Sequence, residues 1–212
     1  MLDRWFQLAP DSVLAEIQSS RAPAHVPTLA ESIARGTIGF ALVSLAGFAP
    51  WALAGGWFYR TVGEIGLYVL CALVFMIASG LALHRLIIGP RSLLKFYKLF
   101  LLAFTLYSAA WIAAWMLIGG TAGSIVGLLA GTAAMAVVLA AAFVAWSRVA
   151  LLMFTLFTLN AAGYFLGDWA HDWLKGRAGM FLWGLCFGLG LGAALGLCFH
   201  LCQREIRRKI VH

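Results

Sequence analysis

The chain has 212 residues, of which 63% are hydrophobic and only 11% are charged. A soluble domain carries about a quarter charged residues, so this composition excludes an ordinary soluble fold and indicates an integral membrane protein. The net charge of +7 would suggest nucleic acid in a soluble protein. Here the basic residues lie beside apolar segments, where membrane lipids are the nearer partner, and we expect no nucleic acid.

Residues 1–27 precede the first apolar segment. Their apolar side chains, interrupted by Pro10, predict one or two amphipathic helices on the cytoplasmic membrane surface, with a disordered tail as the alternative. The segment lacks the pattern of a secretory signal. Thr28-Leu29-Ala30-Glu31 has the pattern of a capping box, so we expect the first long helix to begin at residue 29.

Six apolar segments follow, and a helix of roughly 20 such residues crosses the ~30 Å hydrocarbon core of a bilayer. They are predicted near 34–54, 64–86, 97–118, 121–146, 149–170 and 178–202. The predicted fold class is therefore all-α: a polytopic membrane protein with one six-helix domain over residues 28–203. A basic cytoplasmic tail, residues 204–212, follows it.

The basic residues predict the orientation, because Lys and Arg in short loops are retained on the cytoplasmic side. Only Arg60, Lys175 and Arg177, of the 15 Lys and Arg, fall on the side opposite the termini. We therefore expect both termini in the cytoplasm and the protein in the cell (inner) membrane.

Glycines recur every four residues along two of the predicted helices. The fourth helix carries Gly119, Gly123, Gly127 and Gly131, and the sixth carries Gly184, Gly188, Gly192 and Gly196. Lipid offers no hydrophobic gain for helix association, so stripes of small residues predict close packing instead. The packing partner is either another helix of the chain or a second protomer.

Polar residues gather on the outer halves of two predicted helices. The fifth helix places Asn160, Tyr164, Asp168, His171 and Asp172 along one side, and Glu64 and Tyr68 lie four residues apart on the second. These side chains predict a polar vestibule that binds a ligand. The alternative is an interfacial anchor, with Trp169 and Trp173 at headgroup level. Asn160 lies nearest the midplane, where a polar side chain needs a protein partner or a wet cavity.

His84 and His200 lie near the cytoplasmic ends of two helices, the arrangement that a bis-His haem requires. The alternative is that each histidine forms ordinary hydrogen bonds or contacts lipid headgroups. Cys198 and Cys202 share a helix face that His200 does not, so we expect no metal site there. The sequence contains no catalytic motif, and Asp168 with His171 has no evident nucleophile.

The leading functional hypothesis is therefore a non-catalytic bundle, without a cofactor, that binds or passes a small uncharged or lipid-like ligand. Its chief alternative is an accessory or scaffold subunit of a membrane complex. The partner is accordingly either a second copy of the chain in a homo-oligomer or another membrane protein. The third alternative is a haem-bearing electron-transfer subunit.

Overall fold

The computed structural model describes residues 5–20 and 25–211, which fold into helices joined by short connections and contain no strand. The helices are α1 (Pro10–Ser20), α2 (Leu29–Thr61), α3 (Gly63–Leu83), α4 (Ser92–Ile118), α5 (Gly120–Phe143), α6 (Val149–Leu174), α7 (Gly176–Cys202) and α8 (Arg204–Val211). Two short 3-10 turns lie in the connections to α4 and α6: His84–Leu86 follows α3, and Trp146–Arg148 directly precedes α6.

Six of these helices, α2 to α7, are long and apolar enough to cross a membrane. This confirms the predicted all-helical fold, with the six segments in the predicted order. The first is longer than predicted: α2 has 33 residues, about 50 Å of helix, so it extends beyond a hydrocarbon layer of about 30 Å. It begins at Leu29 as expected, because the Thr28 hydroxyl accepts a hydrogen bond from the Glu31 amide at 3.1 Å. The Glu31 carboxylate pairs with Arg35 and His25.

The helix α7 lies at the centre of the bundle. It packs most extensively against α2 and next against α6, while α5 forms a close pair with α4. The helices α3 and α4 lie at the periphery and contact each other sparsely. Within their most apolar windows, 61% of residues are buried in α5 and α7 but only 22% in α3 and 11% in α4. The two peripheral helices therefore offer most of their surface to lipid.

Glycines set the closest helix contacts. On α7, a Cβ added at Gly192 would overlap the carbonyl oxygen of Gly36, and one at Gly196 would overlap that of Ser32, both on α2. On α5, Gly127 and Gly131 lie against Trp111 and Tyr107 of α4. The helix backbones are therefore close enough for direct van der Waals contact, and such contact stabilises helix pairs in lipid.

Gly119 does not belong to the α5 stripe, in contrast to the prediction. It ends α4 with a φ of +73°, a backbone conformation that glycine adopts without strain. A Cβ there would meet only the Trp115 carbonyl oxygen, at 3.9 Å. The packed stripe of α5 begins at Gly123.

Both described ends of the chain meet at one end of the bundle, which we call the terminal end. It consists of α1, residues 87–91, residues 145–148 and α8. Val13 of α1, Ile88 and Ile206 of α8 form a small buried cluster, and Lys209 pairs with Asp11 at 3.1 Å. The side of the membrane that this end faces remains the prediction made from the basic residues.

The terminal end is tied to the bundle by polar contacts. The Gln203 side chain is 1% exposed; it accepts from the Ile88 amide at 2.7 Å and donates to the Leu86 carbonyl at 2.8 Å. Glu16 of α1 pairs with Arg91 and with Lys95, whose side chain is only 3% exposed. Burial by itself raises the pKa of Glu16, but the hydrogen bonds and charges of Lys95 and Arg91 outweigh it and hold that pKa below its ordinary value.

Candidate functional site

A cavity of about 370 Å³ lies between α3 and α4, in the half of the bundle away from the terminal end. Ten of its fifteen lining residues are aromatic. The two walls are formed by α3, with Tyr68, Cys71, Ala72 and Phe75, and by α4, with Phe104, Tyr107, Ser108, Trp111 and Ile112. The floor is formed by α2, with Gly47, Phe48 and Trp51, by α6, with Tyr164, and by α7, with Trp183 and Phe187. The volume lies within the ~300–1,000 Å³ typical of small-molecule sites.

The cavity lies where α3 and α4, which contact each other sparsely, leave space between them. Nearer the terminal end, the Tyr97 ring of α4 lies directly on Gly80 of α3, and its hydroxyl donates to the Ile77 carbonyl at 3.0 Å. Farther along, the stacked rings of Phe75 and Phe104, with centroids 4.9 Å apart, bridge the two helices. Residues of both helices farther from the terminal end, Tyr68 on α3 and Ile112 on α4 among them, line the cavity.

The mouth of the cavity faces away from the bundle axis. Tyr68 is 55% exposed and Ile112 is 49% exposed, and Ala72 on the α3 wall is exposed as well. The floor residues Tyr164 and Phe187 are buried. In a membrane, the mouth of this cavity therefore faces the surrounding lipid.

A buried hydrogen bond contributes to the polarity of the cavity. Asn160 of α6 is fully buried, and its Nδ2 donates to the Tyr107 hydroxyl oxygen at 2.8 Å. Because this bond uses the oxygen of Tyr107 as acceptor, the phenolic proton remains available to a ligand. The Asn160 Oδ1 is buried without a partner among the described residues. The Tyr164 hydroxyl lies 3.3 Å from the Ser124 hydroxyl of α5 and is occupied by it.

The residues of the predicted vestibule are divided by the structure. Tyr68 and Tyr164 line the cavity, and Asn160 lies directly behind it. Asp168 and His171 do not line it. The side chain of Glu64 lies outside the described part of the structure.

Asp168 and Asp172 lie on a side of α6 that the bundle does not cover. The helices α6 and α7 stay in close contact past the cavity, since Gly167 lies against Trp183 and Gly179 of α7 lies against His171. Asp168 and Asp172 are nevertheless exposed, Asp172 at 83%, and His171 lies 3.9 Å from Asp172. This part of α6 does not line the cavity.

Sequence reasoning missed the aromatic lining. Phe75, Phe104, Trp183 and Phe187 carry no individual signal, because aromatic side chains are common on both the lipid-facing and the inward sides of membrane helices. The pattern that distinguishes them is their convergence from different helices, which only the packing reveals.

The histidines of the haem hypothesis have different surroundings. The Nδ1 of His84 lies 3.0 Å from the Ser92 hydroxyl, whereas the Nδ1 of His200 is buried without a partner among the described residues. Within residues 5–20 and 25–211, no group of three or more His, Cys, Asp or Glu is placed to hold a metal ion. The four cysteines are all free thiols.

No protein-family model, curated protein or solved structure matches the chain.

Proposed function

We propose that the protein is a non-catalytic membrane bundle that binds a small apolar or lipid-like ligand in the aromatic cavity. The ligand enters from the bilayer through the mouth between α3 and α4. The observation that carries the proposal is a cavity of about 370 Å³, walled by aromatic rings, with a buried Asn160–Tyr107 pair behind it.

The chemistry of the lining restricts the ligand. Aromatic walls favour an apolar molecule, because they offer large contact area and few polar partners. None of the lining residues is charged, so an ion would lose its hydration without compensation. The free phenolic proton of Tyr107 calls for a hydrogen-bond acceptor. We infer an uncharged, largely apolar ligand that carries a carbonyl, ester or ether oxygen.

A scaffold subunit does not require a recessed cavity between two of its helices, whereas a ligand-binding protein does. Ligand binding is therefore the better account of the interior.

Photolabelling tests the proposal. The protein is reconstituted in phosphatidylcholine vesicles with a diazirine-bearing fatty acid methyl ester, which is uncharged and carries an ester acceptor. We expect cross-links to concentrate in residues 68–75 and 104–112 and to disappear when excess methyl oleate competes. Labels spread evenly over the exposed helix surfaces would contradict a defined site.

A matched pair of variants separates the cavity from general contact with lipid. Ala72→Trp places an indole in the mouth, whereas Ala113→Trp places the same indole on an exposed position of α4 that does not line the cavity. We expect Ala72→Trp alone to remove the competable labelling. Equal labelling of the two variants would exclude the cavity as the site.

A further inference from the structure

A second cavity, of about 350 Å³, lies at the terminal end. It is enclosed by the segment before α2, by α2 itself, by the end of α3 and by the start of α4. Its polar lining consists of two guanidinium groups, two imidazoles and one hydroxyl, from Arg35, Arg85, His25, His84 and Ser92. We call it the basic pocket. It shares no lining residue with the aromatic cavity, and nothing in the proposed function uses it.

The basic pocket carries excess positive charge. None of its lining residues is acidic. The Glu31 carboxylate pairs with two of the lining residues, with Arg35 at 2.9 Å and with His25 at 3.1 Å. Arg85 is exposed and has no ion pair among the described residues. The positive charges of Arg85 and Arg35 are both close enough to the His84 ring to interact with it electrostatically. One carboxylate therefore faces two guanidinium groups, which leaves a net positive charge even with both histidines neutral.

The His84–Ser92 pair supplies a neutral donor next to these charges. If the His84 Nδ1 carries the proton, it donates to Ser92, and the serine hydroxyl is free to donate. If the serine donates instead, the proton of the ring is on Nε2, which is then the donor. Either arrangement, at 3.0 Å, leaves one hydrogen-bond donor for a ligand.

This donor set suits a phosphate group. Guanidinium groups bind phosphate oxygens through paired N–H groups, and such charge-assisted bonds are stronger than neutral ones. Ser92 is also the first residue of α4, whose first turn has no side-chain cap, so the partial positive charge of the helix start adds to that of the arginines. The pocket lies between the end of one span at Leu86 and the start of the next at Ser92. In a membrane this is the level of the lipid phosphates.

We propose that the basic pocket binds a phosphate group through Arg35, Arg85 and the His84–Ser92 pair. The phosphate belongs either to an anionic lipid headgroup or to free phosphate, and the recognising chemistry is the same for both.

Ligand-induced stabilisation tests this site. The purified protein in dodecyl maltoside is titrated separately with dihexanoyl phosphatidic acid, dihexanoyl phosphatidylcholine and inorganic phosphate, and the unfolding temperature is followed by tryptophan emission. We expect phosphatidic acid to raise it and phosphatidylcholine to leave it unchanged. An equal rise with inorganic phosphate would identify free phosphate as the ligand, and a rise with phosphatidic acid alone would identify the headgroup. No rise with either would overturn the proposal.

Two charge-neutralising variants show whether the pocket is the site. Arg85→Gln removes an exposed guanidinium of the pocket that holds no described ion pair, so the fold should be retained. We expect it to weaken phosphatidic acid binding about tenfold, as the loss of a charge-assisted hydrogen bond predicts. Arg208→Gln makes the same charge change on an exposed position of α8, and binding should stay within about twofold of the original. If Arg85→Gln bound phosphatidic acid as tightly as the original protein, or if both variants weakened binding equally, the basic pocket would not be the site. Only general electrostatic attraction to the terminal end would then remain.

Discussion

Replacing Asn160 by Leu separates a role in binding from a role in folding. Asn160 is fully buried on α6 and donates one hydrogen bond to Tyr107, while its Oδ1 has no partner among the described residues. Leu has the same number and branching of side-chain heavy atoms, so it fills the site without a cavity. The substitution thus removes one hydrogen bond and one unsatisfied acceptor together.

These two changes oppose each other in the free energy of unfolding. A hydrogen bond between membrane helices contributes about 0.6 kcal/mol on average and at most about 1.7 kcal/mol. A buried unpaired acceptor costs about 1–3 kcal/mol. We therefore expect Asn160→Leu to change the free energy of unfolding by an amount between a loss of about 1 kcal/mol and a gain of about 2 kcal/mol. Ligand binding should fall about fivefold, because Tyr107 loses the bond that orients its hydroxyl, worth roughly 1 kcal/mol.

Unfolding in mixed micelles of dodecyl maltoside and dodecyl sulfate measures the first quantity, and competition for photolabelling measures the second. Asp168→Ala is the control: this residue is exposed and outside the cavity lining, so neither quantity should change. A loss of stability above about 3 kcal/mol would contradict this explanation, because it exceeds the contribution of any single hydrogen bond between membrane helices. Unchanged binding in Asn160→Leu would refute the assignment of Asn160 to the site.

Three further predictions concern packing and the terminal end. Gly192→Ala should destabilise the bundle by about 2 kcal/mol, because its Cβ would lie 2.7 Å from the Cβ of Phe40. Gly56→Ala is the control in the same micelle assay: it has open space around it, so it should be neutral or slightly stabilising. Glu16 has a lowered pKa, so its ion pairs should stabilise α1 fully above its ordinary pKa of 4.5 and lose this effect as the pH falls below that value. Amide hydrogen exchange in α1 should therefore become faster at low pH, and Glu16→Gln should remove this pH dependence. Gln203→Leu should cost about 2–4 kcal/mol in thermal unfolding, because the Ile88 amide and the Leu86 carbonyl lose a buried partner.

The number and order of the spans were predictable because each depends on local composition. A run of about 20 apolar residues must be helical in lipid, where every backbone group needs a partner within the segment. The start of α2 was equally local, since Thr28 caps its own helix. The end of α2 was missed: the prediction stopped near residue 54, but the helix passes Pro50 and reaches Thr61.

The candidate site was predictable only in part. Asn160 was identified because a polar side chain near the midplane requires a partner, and that partner is Tyr107. The continuation of the site to Asp168 and His171 was an extrapolation along one helix face. Neither residue lines the cavity, because Asp168 is exposed and His171 packs against Gly179 of α7.

The aromatic cavity was decided by the tertiary structure alone. Phe104 and Phe154 open the same phrase, Phe-Thr-Leu, on two helices of the same direction. Phe104 lines the cavity, whereas Phe154 is 67% exposed on the lipid-facing surface. The sequence by itself determined that both would lie in spanning helices. It did not determine which would face inward, because lipid is as apolar as the protein interior and imposes no hydrophobic difference between the two positions.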